Sequence, residues 1–213
     1  LRDEANDLIR LNTLNGTTRT IFEAQKEDRF LYPHWTYQGK TAFFSRSASR
    51  PLSPLALVVI DNRAPEDQKP QVIPCRHEFF ETKDRAPAVP YLFGTGVRDG
   101  RTFWLIAYFG RSRGPLRLWD DGRTEELFPG ESCSFQNIWF VNGLLLRFDK
   151  DELKIYRDQG KGFELVKSKA ESFSFSNWDF LTRDLEAHPV RLLFGKRGDK
   201  IAKLNLETLE IED

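Results

Sequence analysis

The fold is decided by one stretch of sequence, Asn137-Ile138-Trp139-Phe140-Val141-Asn142-Gly143-Leu144-Leu145-Leu146. Two runs of aromatic, β-branched and aliphatic residues flank Asn142-Gly143. Both central residues of a two-residue hairpin turn need a positive φ, which Asn and Gly adopt at low cost. Asn-Gly between apolar runs is therefore the strongest short-range hairpin signal, and the stretch predicts two antiparallel strands joined by a tight turn.

The same plan recurs along the chain. Residues 32–44 form one such unit around a glycine turn, and Asp99-Gly100 supplies an Asp-Gly version of the turn. A fourth unit keeps Asn177-Trp178 but inserts a longer polar segment, 182–188. The hairpin is therefore a repeated element of the sequence, and the fold must accommodate several copies of it.

Helical periodicity is absent, because apolar residues spaced three and four positions apart persist nowhere for three turns. Short runs rich in Val, Ile, Phe, Tyr, Trp and Thr recur instead, separated by Gly, Asn, Asp and Pro. These runs predict an all-β chain with strands in four sets of four. The predicted strands are 17–23, 30–37, 41–45, 57–61, 71–80, 88–93, 102–109, 116–119, 125–128, 135–141, 144–148, 153–156, 163–167, 173–180, 190–194 and 201–204.

One strand type recurs five times, as a short alternating run that usually ends in Asn or Asp. Its copies are the segments 8–12, 57–61, 116–120, 153–157 and 201–205. Their starts lie about 48 residues apart on average, which is near the length of a four-stranded propeller blade. The chain is therefore predicted to be a single β-propeller domain over 1–213 of four-stranded antiparallel blades. The predicted repeats are approximately 8–61, 62–120, 121–158 and 159–213.

A single four-stranded sheet cannot cover both of its faces, so stacked blades must share aromatic cores. We expect four tryptophans in these inter-blade cores, namely Trp35, Trp104, Trp139 and Trp178. Five copies of the recurring strand exceed what a closed ring of four hairpin units requires. Either the chain belongs to a longer propeller, or its two ends together form part of another blade.

Composition excludes several classes of protein. The 213 residues carry 32 Lys and Arg against 32 Asp and Glu, so a nucleic-acid footprint across the whole surface is not expected. The aromatic content of 13% is typical of a folded chain rather than a disordered one. No apolar run approaches the roughly 20 residues of a membrane helix. The chain has no Met, which indicates a processed or excised piece.

The first hairpin unit also carries a resemblance to a known family. Its pattern Pro33-x-Trp35-x-x-x-Gly39-Lys40-x-Ala42-Phe43 resembles the hairpin of TolB-type β-propeller repeats, and Arg117-Leu118-Trp119-Asp120 is similar to the end of a WD repeat. The resemblance implies a propeller fold, and for a TolB-type protein a periplasmic or secreted bacterial setting. It implies no particular reaction.

Two features of the sequence bear on a catalytic or metal site. Gly110-Arg111-Ser112-Arg113-Gly114 matches the Gly-x-Ser-x-Gly nucleophile elbow, but an elbow needs a helix after the serine. Pro115 instead opens a predicted strand, so this segment is expected to be a hairpin loop. The histidines, His34, His77 and His188, lie in separate repeats without metal-ligand spacing. We therefore expect no metal and no cofactor.

Cys75 and Cys133 also lie in different repeats. They are expected to be two separate thiols, and they pair only if neighbouring blades bring them within disulfide reach.

Arginines concentrate in the second repeat and its exit, at positions 98, 101, 111, 113, 117 and 123, with acidic residues interleaved. A solvated loop face, an acidic protein partner, an anionic glycan and nucleic acid are the alternatives for this cluster. The predicted binding residues are Arg98, Arg111, Arg113 and His34. The favoured function is a non-catalytic scaffold that binds another protein through rim loops. The rival is a propeller that binds or processes carbohydrate.

Overall fold

A computed structural model describes residues 8–11, 16–22, 28–37, 39–47, 54–65, 67–80, 90–108, 114–131, 137–149, 152–159, 162–170, 192–197 and 200–212. Within these ranges nearly all regular structure is β-strand, as predicted. The strands are β1 (Leu8–Leu11), β2 (Thr18–Phe22), β3 (Asp28–Tyr37), β4 (Lys40–Ser47), β5 (Pro54–Asp61), β6 (Gln71–Pro74), β7 (Pro90–Arg98), β8 (Arg101–Tyr108), β9 (Leu116–Trp119), β10 (Thr124–Glu126), β11 (Ile138–Val141), β12 (Leu144–Asp149), β13 (Glu152–Asp158), β14 (Phe163–Lys169), β15 (Leu192–Arg197), β16 (Lys200–Asn205) and β17 (Ile211–Glu212).

The strands form antiparallel sheets in which each strand pairs with its neighbour along the chain. Three sheets have four strands each: β3–β6, β7–β10 and β11–β14. Strands β15–β17 form a three-stranded sheet, and β1 pairs with β2. The first strand of the second sheet, β7, lies beside the first strands of its two neighbours, β3 and β11. Sheets that fan out from adjacent first strands are the blades of a β-propeller.

The copies of the recurring strand type occupy equivalent positions in their sheets. Its five copies are β1, β5, β9, β13 and β16, and each is the next-to-last strand of its sheet among the described strands. One further strand of the same sheet follows every copy. The repeat boundaries near residues 61, 120 and 158 therefore fall between the third and fourth strands of a sheet.

Each four-stranded sheet is buried on faces that meet its neighbours. Strand β8 shows how alternation achieves this, because Trp104 and Ile106 enter the core shared with the first sheet, whereas Phe103 and Leu105 enter the core shared with the third. A further core joins the third sheet to β15–β17, with Leu204 fully buried in it. Burial of each large apolar side chain contributes about 1.5–3 kcal/mol, so the stacking of sheets is the main source of stability.

The inner strands approach closely where glycine replaces a side chain. A Cβ built on Gly94 of β7 would lie 2.7 Å from the side chain of Phe140 on β11. Both β3 and β7 also carry a bulge, between Leu31 and Trp35 and between Leu92 and Gly94. Pro33 lies within the first bulge, where its missing N–H removes no ladder hydrogen bond.

The predicted strand 71–80 is wrong in its second half. Strand β6 ends at Pro74, and a 3-10 turn follows at Glu78–Phe80. The backbone N–H groups of Phe79 and Phe80 donate to His77, at its Nδ1 (3.1 Å) and its carbonyl (2.9 Å). Because this turn places both phenylalanines in the core between the first two sheets, burial outweighs their strand preference. The predicted strand 173–180, with Trp178, lies outside the described residues.

Candidate functional site

In each of the three four-stranded sheets, the described turns between the first and second strands and between the third and fourth strands lie at the same end of the strands, since successive strands are antiparallel. We call this end of the sheets the turn rim, and it includes the strand residues next to each turn. Its described turn residues are 39, 62–65, 67–70, 99–100, 120–123, 142–143, 159 and 162.

The turns have the geometry that their sequences predict. Asp99 and Gly100 have φ values of 50° and 73°, and Asn142 and Gly143 have values of 49° and 75°. Two consecutive positive φ angles are the signature of a type I′ hairpin turn. The predicted Asp-Gly and Asn-Gly hairpins are therefore confirmed.

Polar contacts tie the turn rim of one sheet to that of the next. Lys40 donates to the hydroxyl of Thr102 (3.5 Å), which joins the first sheet to the second. The side-chain amide of Gln71 donates to the carbonyl of Asp120 (3.2 Å). Arg98 donates to the carboxylate of Asp158 in the third sheet (3.3 Å). The rim is thus held as one continuous surface across three sheets.

Arg117 is the charged centre beneath this surface. Its side chain is fully buried, and its guanidinium carbon lies 4.7 Å from the ring centroid of Phe103 and 4.9 Å from that of Phe163. The guanidinium donates to Asp158 (3.0 Å) and to Glu125 (3.2 Å). Burial lowers the pKa of Arg117, whereas the two carboxylates raise it. Arg117 therefore links the second sheet to the third, and its buried side chain is not accessible to a ligand.

Arg98 shares the same acceptor. Its side chain is 23% exposed, and besides Asp158 it lies 3.7 Å from the carboxylate of Asp99. Asp158 thus accepts from both Arg98 and Arg117, which lie on different strands of the second sheet. The predicted binding residue Arg98 is part of the link between two sheets.

Two further arginines of the second sheet are exposed on the turn rim. Arg101 and Arg123 have side chains that are 52% and 62% exposed, and both contact the same oxygen, Oδ2 of Asp121. The guanidinium carbon of Arg123 also lies 5.6 Å from the ring centroid of Trp119. The backbone N–H of Arg123 donates to Asp121 (3.1 Å), and this hydrogen bond, with the two guanidinium groups, lowers the pKa of the Asp121 carboxyl.

The other predicted binding residues are only partly placed. His34 lies on β3, within its bulge, and Arg111 and Arg113 lie outside the described residues. The described residues on either side of that segment are Tyr108 and Gly114. They lie near the end of β8, whereas Arg98 lies beside its start, at the turn to β7. Strand β9 follows Pro115, so the strand expected after the Gly-x-Ser-x-Gly sequence is confirmed.

No three His, Cys, Asp or Glu side chains among the described residues are arranged to hold a metal ion. Cys75 is a free, buried thiol whose pKa is raised by burial, and Cys133 lies outside the described ranges. The described part of the chain also contains no helix with the length and apolar character of a membrane span.

Sequence reasoning did not single out the two carboxylates that organise the arginines. Asp121 follows Asp120 in an Asp-Asp-Gly-Arg turn, and a turn that places an acid two residues before an arginine is a local signal that could have identified it. Asp158 lies 41 residues from Arg117, so no spacing in the sequence reveals that contact.

No family model matches the chain, and no curated protein matches it. Among solved structures, the crystal structure of the major Malassezia sympodialis allergen Mala s 1 is similar to this chain, with a TM-score of 0.48 and 14% sequence identity. The similarity covers 98% of this chain and 72% of that one.

Proposed function

We propose that the chain is a non-catalytic β-propeller scaffold that binds another protein through the loops of its turn rim. The observation that carries the proposal is the set of contacts linking three successive sheets at this edge, from Lys40 and Gln71 to the Arg98–Asp158 ion pair. A rim held in this way loses little conformational freedom on binding, and a preorganised surface binds more tightly for that reason.

Within this proposal the arginines have different tasks. Arg98 holds the rim together, because its guanidinium is committed to Asp158. Arg101 and Arg123 are exposed enough to meet a partner. Arg111, Arg113 and His34 stay contact residues predicted from the sequence, and they are not among the turn-rim residues that support this proposal. TolB-type membership is likewise a proposal, supported by the hairpin residues Pro33, Trp35 and Gly39-Lys40.

The test is photo-cross-linking at two positions. A photoreactive amino acid replaces either Asp99, whose side chain is 89% exposed on the turn rim, or Glu126, which is exposed at the far end of β10. In an extract of the native source, we expect a protein adduct from position 99 and none from position 126.

Binding of the recovered protein should also weaken with rising salt, because charges at the edge of an interface are screened within about 8–10 Å. Equal adducts from both positions would contradict the assignment to this rim. Absence of a protein adduct together with retention on a glycan array would favour the carbohydrate-binding alternative.

A further inference from the structure

Two exposed guanidinium groups on the turn rim are oriented by one carboxylate oxygen. Arg101 contacts Oδ2 of Asp121 through Nη1, and Arg123 donates to the same oxygen through Nε at 2.8 Å. Asp121 is itself fixed, since its other oxygen accepts from the backbone N–H of Arg123. The positions of the two guanidinium groups are therefore coupled. We call Arg101, Asp121 and Arg123 the arginine clamp.

The clamp leaves donors unused. Arg123 engages Asp121 through Nε, and no acceptor among the described residues takes a hydrogen bond from its Nη1 or Nη2. The same holds for Nε and Nη2 of Arg101. The neighbouring carboxylate of Asp120 accepts from the backbone N–H of Thr102 (3.1 Å).

One arginine of the clamp also packs against an aromatic side chain that contacts the core. The guanidinium of Arg123 lies beside the indole of Trp119, and this ring packs against Phe103 with centroids 5.5 Å apart. Phe103 is buried in the core between the second and third sheets. A guanidinium held against an aromatic face loses less freedom when it binds, and paired arginine donors match the planar carboxylate group.

We propose that the arginine clamp binds an Asp or Glu side chain of the partner protein, with Arg101 and Arg123 donating to it and Asp121 as the positioning residue. This inference rests on the proposed function. Its distinctive feature is the role of Asp121, because a carboxylate that orients the arginines favours binding of an acidic group even though its own charge opposes it.

The experiment measures binding of a synthetic peptide of alternating Glu and Ser, with the matching Gln-Ser peptide as reference, at low salt. Charge-assisted hydrogen bonds predict that Arg101→Gln and Arg123→Gln each weaken binding by about tenfold or more. Asp121→Asn should also weaken it, although this substitution makes the rim more positive. Arg157→Gln, which removes an exposed arginine of the third sheet, is the matched control and should change binding less than about twofold.

Several results would overturn the clamp. If Asp121→Asn binds the Glu-Ser peptide as tightly as the wild type or more tightly, charge alone is responsible. Equal losses in Arg157→Gln and Arg123→Gln, or no wild-type binding, also exclude it. Tighter binding of a uronic-acid oligosaccharide than of the peptide would show that the two arginines bind a glycan and not a protein side chain. A cross-linked partner whose affinity is unchanged by Arg101→Gln and Arg123→Gln would keep the proposed function and remove the clamp.

Discussion

Arg117 shows how a charged residue can occupy a strand position that faces a core. In the run Leu116-Arg117-Leu118, the two leucines enter the core shared with the first sheet, and strand alternation turns Arg117 towards the third. The rings of Phe103 and Phe163 flank its guanidinium, and Asp158 and Glu125 balance its charge. A buried charge is tolerated only when it is paired in this way.

This arrangement predicts that losing the acid is worse than losing the base. Asp158→Asn should cost about 2–3 kcal/mol of unfolding free energy, because it leaves the buried Arg117 with the half-exposed Glu125 alone. Arg117→Met should cost about 1 kcal/mol or less, since an apolar chain fills the space and Asp158 retains Arg98. Urea denaturation of both variants measures the difference. A larger loss in Arg117→Met than in Asp158→Asn would contradict this account.

Trp104, like Arg117 at its Nε, carries a buried polar group that has no hydrogen-bond partner among the described residues. The Trp104 side chain is 1% exposed, and its Nε1 donates to no acceptor in the described part of the chain. Trp104→Phe removes the unsatisfied N–H, which offsets the lost apolar contact, so we expect stability to change by less than about 1 kcal/mol. Trp104→Ala opens a cavity and should cost about 3–5 kcal/mol. Comparable losses in thermal or urea denaturation of the two variants would show that the N–H is satisfied in solution.

At the scale of elements, a feature that neighbouring residues determine can be predicted from the sequence. A feature that depends on contacts between distant residues cannot. The Asp99-Gly100 and Asn142-Gly143 hairpins were predictable because a type I′ turn requires positive φ at both central residues, which Asp, Asn and Gly adopt at low cost. The end of β6 was not, since Phe79 and Phe80 are drawn into a core that other strands build. The site divides in the same way, because an acid within the Asp121 turn is local and Asp158 comes from another sheet.

Strand β14 is the last strand of its sheet and is protected from pairing with another chain. A bulge interrupts its register opposite Ile155 and Tyr156, and lysines occupy positions 167 and 169. Bulges and lysines on edge strands both discourage edge-to-edge association. The same lysines reach Glu210, just before β17, and so connect the third sheet to the three-stranded sheet.

That connection predicts a specific acid sensitivity. Hydrogen bonds from Lys167 and then Lys169 lower the pKa of Glu210 from 4.5 to about 2. Because the folded-state pKa lies below the unfolded value, its stabilising effect is complete above about pH 4.5 and is lost as the pH falls towards 2. Glu210→Gln should be less stable than wild type at pH 7, and the difference should shrink as the pH falls through about 2 and disappear below it. A difference in urea midpoint that is independent of pH would contradict the ion-pair account.

At the scale of the whole molecule, every described core joins two consecutive sheets. The first lies between β3–β6 and β7–β10, the next between β7–β10 and β11–β14, and the third between β11–β14 and β15–β17. Stability in such an array is approximately a sum over sheets and the interfaces between neighbours. A local loss of packing should therefore loosen the adjoining sheets more than distant ones.

Two leucines at opposite ends of this array provide the test. Leu204 of β16 and Leu57 of β5 are both fully buried, so replacement of either by Ala should cost about 2–5 kcal/mol. Native-state hydrogen exchange should then rise in β12, β13 and β16 for Leu204→Ala and in β4, β5 and β8 for Leu57→Ala, since those strands line the affected core. Ile201→Ala, at a position that is 72% exposed on β16, should alter neither region. If both leucine variants raise exchange evenly over all sheets, the blades unfold as one cooperative unit, and nearest-neighbour packing does not limit how far a local defect spreads.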